Sequence, residues 1–194
     1  RHRKPVLMEA VAEHIKVPKL RFPEFSGEWE EKRLGEVVKT FSGGTPKSSV
    51  PSYYSGEIPF IQSGEIGEYV VPKHITLDAI ENSSAKLIQT GDLLLALYGA
   101  TAGESALSPI KGAINQAVLC IRSSLLNLIF LNNWLNANKG DILATYLQGG
   151  QGNLSAGIVK ELKITFPTLP EQQKIAEFLT AVDEKIEKLK RKKE

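Results

Sequence analysis

The sequence predicts an α+β domain followed by one long C-terminal coiled-coil helix. Short runs of β-branched and aromatic residues come first, separated by clusters of glycine, proline and serine, and helical patterns come late. Strands and helices do not alternate regularly, which disfavours a repeating βαβ fold. Residues 168–194 then carry apolar side chains at coiled-coil spacing. We therefore expect an N-terminal tail at 1–17, a mixed globular domain at 18–167 and a helix at 168–194.

Composition indicates a soluble globular protein with a sizeable hydrophobic core. The chain has 194 residues, of which 42% are hydrophobic, and a formal net charge of +2. This charge neither requires nor excludes a nucleic-acid partner. The apolar runs are too short to cross a bilayer and no signal-peptide pattern is present, so we expect no membrane association and a cytoplasmic setting. The chain begins with Arg1 rather than methionine, which suggests a piece of a longer protein.

Several short stretches predict the strands of the globular domain. They are rich in β-branched, aromatic or long aliphatic residues and are bounded by turn residues. Before them, the two prolines of Pro18–Gly27 predict extended chain laid over the surface. The run LLLALY is typical of a strand buried on both faces. The predicted strands are IPFI at 58–61, YVV at 69–71, LLLALY at 93–98, GAINQAVLCI at 112–121 and the alternating Leu162, Ile164 and Phe166.

Helical patterns follow the strands. From Ser123 onward, apolar positions recur at helical spacing, and Gly140 is expected to close this first helix. Asp141 is expected to cap a second, short helix that ends at Leu147. Ser155 has the position of a cap for one or two further helical turns.

The C-terminal helix shows a clear start and an apolar seam. Thr168 and Glu171 have the spacing of a capping box, and Pro170 lies in the first turn, where a missing N–H costs nothing. The helix would be roughly 38 Å long, so half or more of it could project beyond the domain. Two interpretations are open, a helix lying on its own domain or an arm that binds a partner. The residues expected at a dimer interface are Ile175, Phe178, Leu179, Val182, Ile186 and Leu189.

The motifs that would indicate an enzyme are absent from the sequence. It contains no Walker-type lysine loop, no Gly-x-Ser-x-Gly and no Cys-x-x-Cys. The histidines His2, His14 and His74 lack ligand spacing, so no metal site is expected. Cys120 lies in an apolar run and is interpreted as a buried small hydrophobe. GGQG at 149–152 has backbone N–H groups that could hold a phosphate, with an ordinary loop as the competing interpretation.

The loops instead carry polar, basic and aromatic side chains. Groups of this kind read base edges and contact phosphates in nucleic acids. Ordinary solvated loop polarity is the competing interpretation. The candidate nucleic-acid contacts are Thr45, Lys47, Ser48, Tyr54, Gln62, Ser63, Lys73, His74, Tyr98, Thr101, Gln148, Gln151 and Asn153.

Six separated segments, taken in order, resemble the specificity subunit of type I restriction-modification enzymes. The resemblance runs from about Pro18 to the end of the chain, and it depends on the order of the segments rather than on any single one. The segments are GGTP at 43–46, YSGEIPFIQSGEI at 54–66, SAKLIQTGDLLLALYGATAG at 84–103, INQAV at 114–118, GGQGNLS at 149–155 and FPTLPEQQKIAEFLTAVDEKI at 166–186.

The resemblance implies a target-recognition domain followed by a conserved helix. Family members usually carry two such units in tandem, with the two helices paired antiparallel, whereas this chain has one unit. The resemblance further implies that the chain reads half of a bipartite site in double-stranded DNA and has no catalytic residue or cofactor of its own. S-adenosylmethionine is then expected on partner methyltransferase subunits, with restriction subunits joining them, and two copies of the chain are expected to dimerise through the helix.

The sequence is also compatible with a different class of function. A single unit of this kind could be a protein-interaction module that assembles or blocks the methyltransferase complex without reading DNA.

Overall fold

The structure is a computed structural model that describes residues 20–146 and 153–192. It confirms the α+β prediction and the long C-terminal helix. The strands are β1 (Glu30–Arg33), β2 (Lys39–Ser42), β3 (Ile58–Ile61), β4 (His74–Ile75), β5 (Lys86–Ile88), β6 (Leu93–Ala96), β7 (Ser105–Leu107), β8 (Gly112–Ile114), β9 (Val118–Arg122) and β10 (Lys163–Phe166). The helices are α1 (Leu34–Val37), α2 (Leu77–Glu81), α3 (Leu128–Tyr146), α4 (Ala156–Glu161) and α5 (Leu169–Lys190).

The strands form three sheets. The first has the order β2-β9-β6-β7 and is antiparallel throughout. The second has the order β4-β3-β8-β5, with β3 and β8 parallel and the remaining pairs antiparallel. A small antiparallel pair joins β1 to β10.

Strand β6 is buried on both faces, as its continuous apolar run predicts. Leu93 and Leu95 pack into a large cluster with α3 and β10, whereas Leu94 points to the other face and packs against the second sheet. Neighbouring β9 divides its side chains in the same way, because successive residues of a strand point to opposite faces. Cys120 belongs to the cluster between the sheets and is fully buried, which confirms its interpretation as a small hydrophobe.

Two strand predictions are wrong. YVV at 69–71 pairs with no strand: Val71 is buried, but Tyr69 and Val70 are exposed in the loop between β3 and β4. GAINQAVLCI is not one strand but two, because the chain leaves β8 and enters β9 in the other sheet. The Asn115 side-chain oxygen accepts a hydrogen bond from the Ala117 N–H at 3.0 Å and so fixes the turn between them.

The expected break at Gly140 and Asp141 is also wrong, since α3 runs continuously through both residues. A glycine inside a helix costs about 1 kcal/mol relative to alanine, which is small compared with burying a large aliphatic side chain. Ile142, just beyond the glycine, is buried in the main cluster, so tertiary packing stabilises the helix past Gly140. Asn127 caps its start, with the side-chain oxygen accepting from the Phe130 N–H at 3.0 Å.

Helix α5 begins where predicted, with Thr168 as the N-cap residue, but the predicted capping box does not form. The Thr168 side chain makes no capping hydrogen bond. Glu171 is buried and accepts two hydrogen bonds from Arg21, at 2.6 Å from Nε and 2.7 Å from Nη2. A charged, two-bond partner is stronger than a single backbone N–H at the helix start, so the long-range contact prevails. It also fixes the extended segment before β1 against the helix.

Candidate nucleic-acid interface

The two large sheets place one set of strand ends together. The end of β2 lies opposite the start of β9, which also faces the end of β6, with Ala96 opposite Val118. In the second sheet, parallel β3 and β8 end side by side at Ile61 and Ile114. Because β8 leads directly into β9, these edges of the two sheets are adjacent. The loops that follow β2, β3, β6 and β8 therefore emerge at one place.

Hydrogen bonds join these loops. The Thr45 hydroxyl donates to Oε1 of Gln116 at 2.7 Å, which connects the loop after β2 to the turn after β8. The Leu97 N–H donates to the Ala117 carbonyl at 2.8 Å, and the Leu154 N–H donates to the Leu97 carbonyl at 2.7 Å. The neighbouring candidates Tyr98 and Asn153 are thereby brought to the same region as Thr45.

The loop after β3 joins this group through a further bond. The Thr101 hydroxyl donates to the Ser63 carbonyl at 3.0 Å, so the turn after β6 rests on the turn after β3. Gln62 and Glu65 form a reciprocal cap around this turn, with the Gln62 N–H donating to the Glu65 carboxylate at 2.9 Å. We call the resulting surface the strand-end surface: Thr45, Gln62, Ser63, Tyr98, Thr101, Gln116 and Asn153.

Gly43 permits the loop after β2 to approach the second sheet. Its N–H donates to the Asn115 carbonyl at 3.2 Å. A Cβ placed there would lie 1.7 Å from the Ile114 carbonyl oxygen, a distance that no side chain tolerates. Only glycine therefore allows this approach of the two backbones.

A second group of candidates surrounds a shallow groove of about 340 Å³. It is lined by Tyr54, Lys73 and His74, together with Gly56. The Tyr54 hydroxyl donates to the Pro46 carbonyl at 2.6 Å, which connects this groove to the loop that carries Thr45. Lys47 and Ser48 follow Pro46 directly and are exposed.

The basic side chains of these loops are available to an anion. Lys47 and Lys73 are exposed, and within the described part of the chain neither lies within 4.0 Å of a carboxylate. Arg122, at the opposite end of β9, is instead held by Asp92, with Nε at 2.7 Å from one carboxylate oxygen. Burial alone would raise the pKa of Asp92, but hydrogen bonds from Arg122 and the Gln89 N–H lower that pKa below its usual value. Arg122 therefore serves the fold.

The predicted contacts thus fall into two classes. Most are brought together at the strand-end surface or the adjoining groove. Gln148, Gln151 and the GGQG loop lie outside the described residues. The predicted contacts do not include Gln116, because GAINQAVLCI predicts one strand; the polar pair that interrupts this apolar run is nevertheless a turn signal.

Metal and nucleophile chemistry find no support in residues 20–146 and 153–192. These ranges hold no group of three or more His, Cys, Asp or Glu side chains arranged to bind a metal ion. Burial raises the pKa of the Cys120 thiol to about 12, with the nearby Asp92 carboxylate acting in the same direction. No helix within the same ranges is both long and apolar enough to span a membrane.

The predicted dimer seam lies along α5, and its side chains become more exposed toward the C-terminal end of the helix. Ile175 packs partly against the main core, and Leu179 is half-buried. Farther along, Val182, Ile186 and Leu189 are 38%, 44% and 52% exposed. Phe178 is 55% exposed and meets the Phe22 ring edge-to-face, with 5.7 Å between centroids. An apolar cavity of about 400 Å³ lies between the start of the seam and the segment before β1. It is lined by Leu20, Arg21, Phe22, Trp29, Glu171, Ile175, Phe178 and Leu179.

Similar proteins share both the sequence pattern and the fold. The chain is 30% identical over 176 residues to the type I restriction enzyme EcoR124I/EcoR124II specificity subunit of Escherichia coli, which covers 84% of this chain and 43% of that subunit. The structure resembles a chain solved to explain assembly and conformational transition of the type I R-M system, with a TM-score of 0.69 at 23% identity. That match covers 95% of this chain and 45% of the solved one.

The crystal structure of the HsdS subunit from Thermoanaerobacter tengcongensis gives a TM-score of 0.67 at 22% identity, over 95% of this chain and 44% of the subunit. The chain thus spans less than half the length of these relatives. The family model described as the type I restriction modification DNA specificity domain matches residues 26–194. Taken with the shared fold, this match over most of its length shows that the chain belongs to the family of type I restriction-modification DNA specificity domains.

Proposed function

We propose that this chain is the sequence-reading unit of a type I restriction-modification system and binds one half of a bipartite site in double-stranded DNA. The observation that carries the proposal is the strand-end surface, where loops from both sheets present polar side chains at one edge. Family membership supports the assignment to DNA.

The two groups of candidate residues have different roles in this proposal. Amide and hydroxyl groups such as those of Gln62, Thr101 and Gln116 have the donors and acceptors that distinguish base edges. Lys47 and Lys73 lie beside them and contact phosphates, which sets position but carries no sequence information. The chain itself performs no chemistry; methylation and cleavage belong to its partners.

The proposed partners are methyltransferase subunits, which bind S-adenosylmethionine, and restriction subunits. The relatives' names support this assembly, since they are specificity subunits of type I restriction enzymes. We assign recognition to residues 18–167 and spacing between recognition domains to the helix at 168–194, with the complex in the cytoplasm. Residues 181–192 are exposed throughout, which supports a role for this part of the helix in assembly.

The spacing role favours a homodimer with antiparallel helices. A two-fold axis would make the two seams self-complementary and present two inverted half-sites at a distance set by the helices. Antiparallel pairing brings the lysine-rich end of one helix near Glu177 of the other. Glu171, another acidic residue near the start of the helix, is already paired with Arg21. Glu177 is exposed and accepts from Gln173 at 2.9 Å, so it is the better candidate.

The central test is adenine-methylation mapping with the full chain, a type I methyltransferase subunit and S-adenosylmethionine on a DNA library. We expect methylation at one bipartite sequence. Binding to the methyltransferase with no sequence preference in the methylated adenines would refute DNA reading and favour a protein-interaction module.

A lysine variant separates phosphate contacts from base contacts. For Lys73→Gln we expect weaker binding to all duplexes and a salt-dependence slope reduced by about 1, because one phosphate contact is lost. Lys111→Gln is the control, since Lys111 is also exposed but precedes the start of β8, away from the strand ends. Equal salt slopes for the two variants would remove Lys73 from the interface.

A further inference from the structure

The loop between β3 and β4 exposes two adjacent apolar side chains. Tyr69 is 78% exposed and Val70 is 84% exposed. Among the large hydrophobic side chains of the described residues, only Leu20, at 92%, is more exposed than these two. Single exposed apolar residues are common, but a neighbouring pair at the tip of one loop is a candidate contact surface.

The tip is held in place from both sides. Before it, Ile66 packs against the cluster between the two sheets, and after it Val71 is 3% exposed in the same cluster. Gly67 adopts a φ of +86°, and a Cβ there would lie 3.0 Å from the Ala106 side chain, so the loop rests closely on β7. The tip is therefore already ordered, and binding a ligand there would cost little additional conformational entropy.

The tip belongs to the loop that joins the two groups of candidate DNA contacts along the chain. Gln62 and Ser63 of the strand-end surface precede it, and Lys73 and His74 of the groove follow it. The Phe60 N–H donates to the Lys73 carbonyl at 2.8 Å, so the groove side of the loop is fixed to β3. A duplex lying across both groups would therefore pass the loop that carries Tyr69 and Val70.

We propose that Tyr69 and Val70 form an apolar wedge that enters a groove of the duplex and partly unstacks one base step. The inference rests on the proposed function and deepens it, because it adds recognition of DNA deformability to recognition of base edges. Apolar side chains inserted at a base step kink the duplex, and the cost depends on which step is opened. Sequence preference would then arise at a step with which the wedge makes no hydrogen bond.

Fluorescence of 2-aminopurine tests the wedge, because this base brightens when it unstacks. The probe is a duplex enriched from a random pool by the full wild-type chain, with 2-aminopurine placed at each step in turn. We expect wild type to brighten one step. The Tyr69→Ser/Val70→Thr variant should bind roughly ten- to hundredfold more weakly, lose this brightening and keep the salt slope of wild type.

Two controls accompany the double variant. Tyr69→Phe keeps the ring and should retain both affinity and brightening. Leu125→Thr changes a half-exposed leucine beyond the far end of β9 and should change neither. Circular dichroism melting checks that all variants fold.

The outcomes separate the two proposals. If wild type enriches no sequence, DNA reading fails and the wedge fails with it. If wild type enriches a sequence but the double variant binds it equally well, or still brightens the same step, the wedge is overturned and DNA reading stands.

Discussion

Gly43 shows how one residue links the loops of the strand-end surface to the fold. The residue carries no chemistry, yet the loop with Thr45 reaches Gln116 only because the backbone at Gly43 lies against the carbonyl of Ile114. The sequence suggests a turn here by its paired glycines. It does not reveal the partner backbone, because Ile114 is distant in the chain.

Gly43→Ala tests this close approach. The added methyl must displace either the loop or β8, so we expect a loss of about 1–3 kcal/mol in the free energy of unfolding, as for other overpacked sites. Urea denaturation measures it. Gly64→Ala is the matched control, because a Cβ at Gly64 has no neighbour within 4 Å and should leave stability nearly unchanged. A stable Gly43→Ala would contradict the assigned register of loop and strand.

Asp92 gives a prediction in the pH dependence of stability. Its pKa is lower in the folded state than in the unfolded chain, so its contribution is present above about pH 4 and is lost as the pH falls through the folded pKa. Asp92→Asn should cost about 1–3 kcal/mol at pH 7, because Arg122 and the Gln89 N–H lose their charged acceptor.

Urea titrations at pH 7 and pH 3 measure this effect, and the difference between Asp92→Asn and wild type should shrink at the lower pH. Glu31→Gln, which breaks an exposed pair with Lys163, should stay within about 0.5 kcal/mol of wild type at pH 7. A penalty for Asp92→Asn that is equal at both pH values would show that the ion pair is not its cause.

The first turns of helix α5 are packed against the domain, whereas its C-terminal half is exposed. Its first turns are fixed to the domain: the Gln172 side chain is buried, donates to the Pro167 carbonyl at 2.8 Å and accepts from the Asn127 N–H at 2.8 Å. Beyond Thr180 every described residue is exposed. A surface helix would bury its apolar stripe along its whole length, so the exposed seam favours a partner.

Association through the seam is tested by light scattering. We expect wild type to be dimeric at tens of micromolar and Ile186→Asp to be monomeric, since a carboxylate would be buried without a partner in the paired helices. Thr180→Asp is the control, because Thr180 is exposed beside the seam rather than on it. A monomeric wild type, or a dimer that tolerates Ile186→Asp, would exclude the seam.

Local sequence patterns predict a helix or strand correctly where neighbouring residues determine it. The buried strand, which ends at Ala96 rather than Tyr98, the Ser155 cap and the long C-terminal helix are all found. Failures occur where a distant residue decides the outcome. Arg21 takes Glu171 away from the capping box, and the second sheet draws Gly112–Ile114 away from β9. For the site, the sequence identified polar loop residues but not which of them meet.

A buried cluster lies between the two large sheets and holds them together. Ile61, Ile88 and Ile114 come from one sheet and Leu94, Val118 and Cys120 from the other. Both sheets therefore share buried surface, and we expect them to unfold together. Both tryptophans, Trp29 and Trp134, pack against the other cluster, so their fluorescence reports on a region outside this interface.

Ile114→Ala tests this coupling. Removing a fully buried isoleucine from the second sheet should cost about 2–5 kcal/mol. Tryptophan fluorescence and far-UV circular dichroism should then shift to the same lower urea midpoint. Leu87→Ala, at a half-exposed position of the same sheet, should have a smaller effect. Different midpoints from the two probes would show that the sheets unfold separately.

The turn at 115–117 limits how this unit can evolve. It connects the two large sheets and also belongs to the strand-end surface, so a change there would alter both folding and the proposed recognition. The tip at Tyr69 and Val70 is different, because its supports at Ile66 and Val71 are buried while its own side chains touch little. New target preferences are therefore more accessible by exchanging residues at such tips than by changing the connection between the sheets.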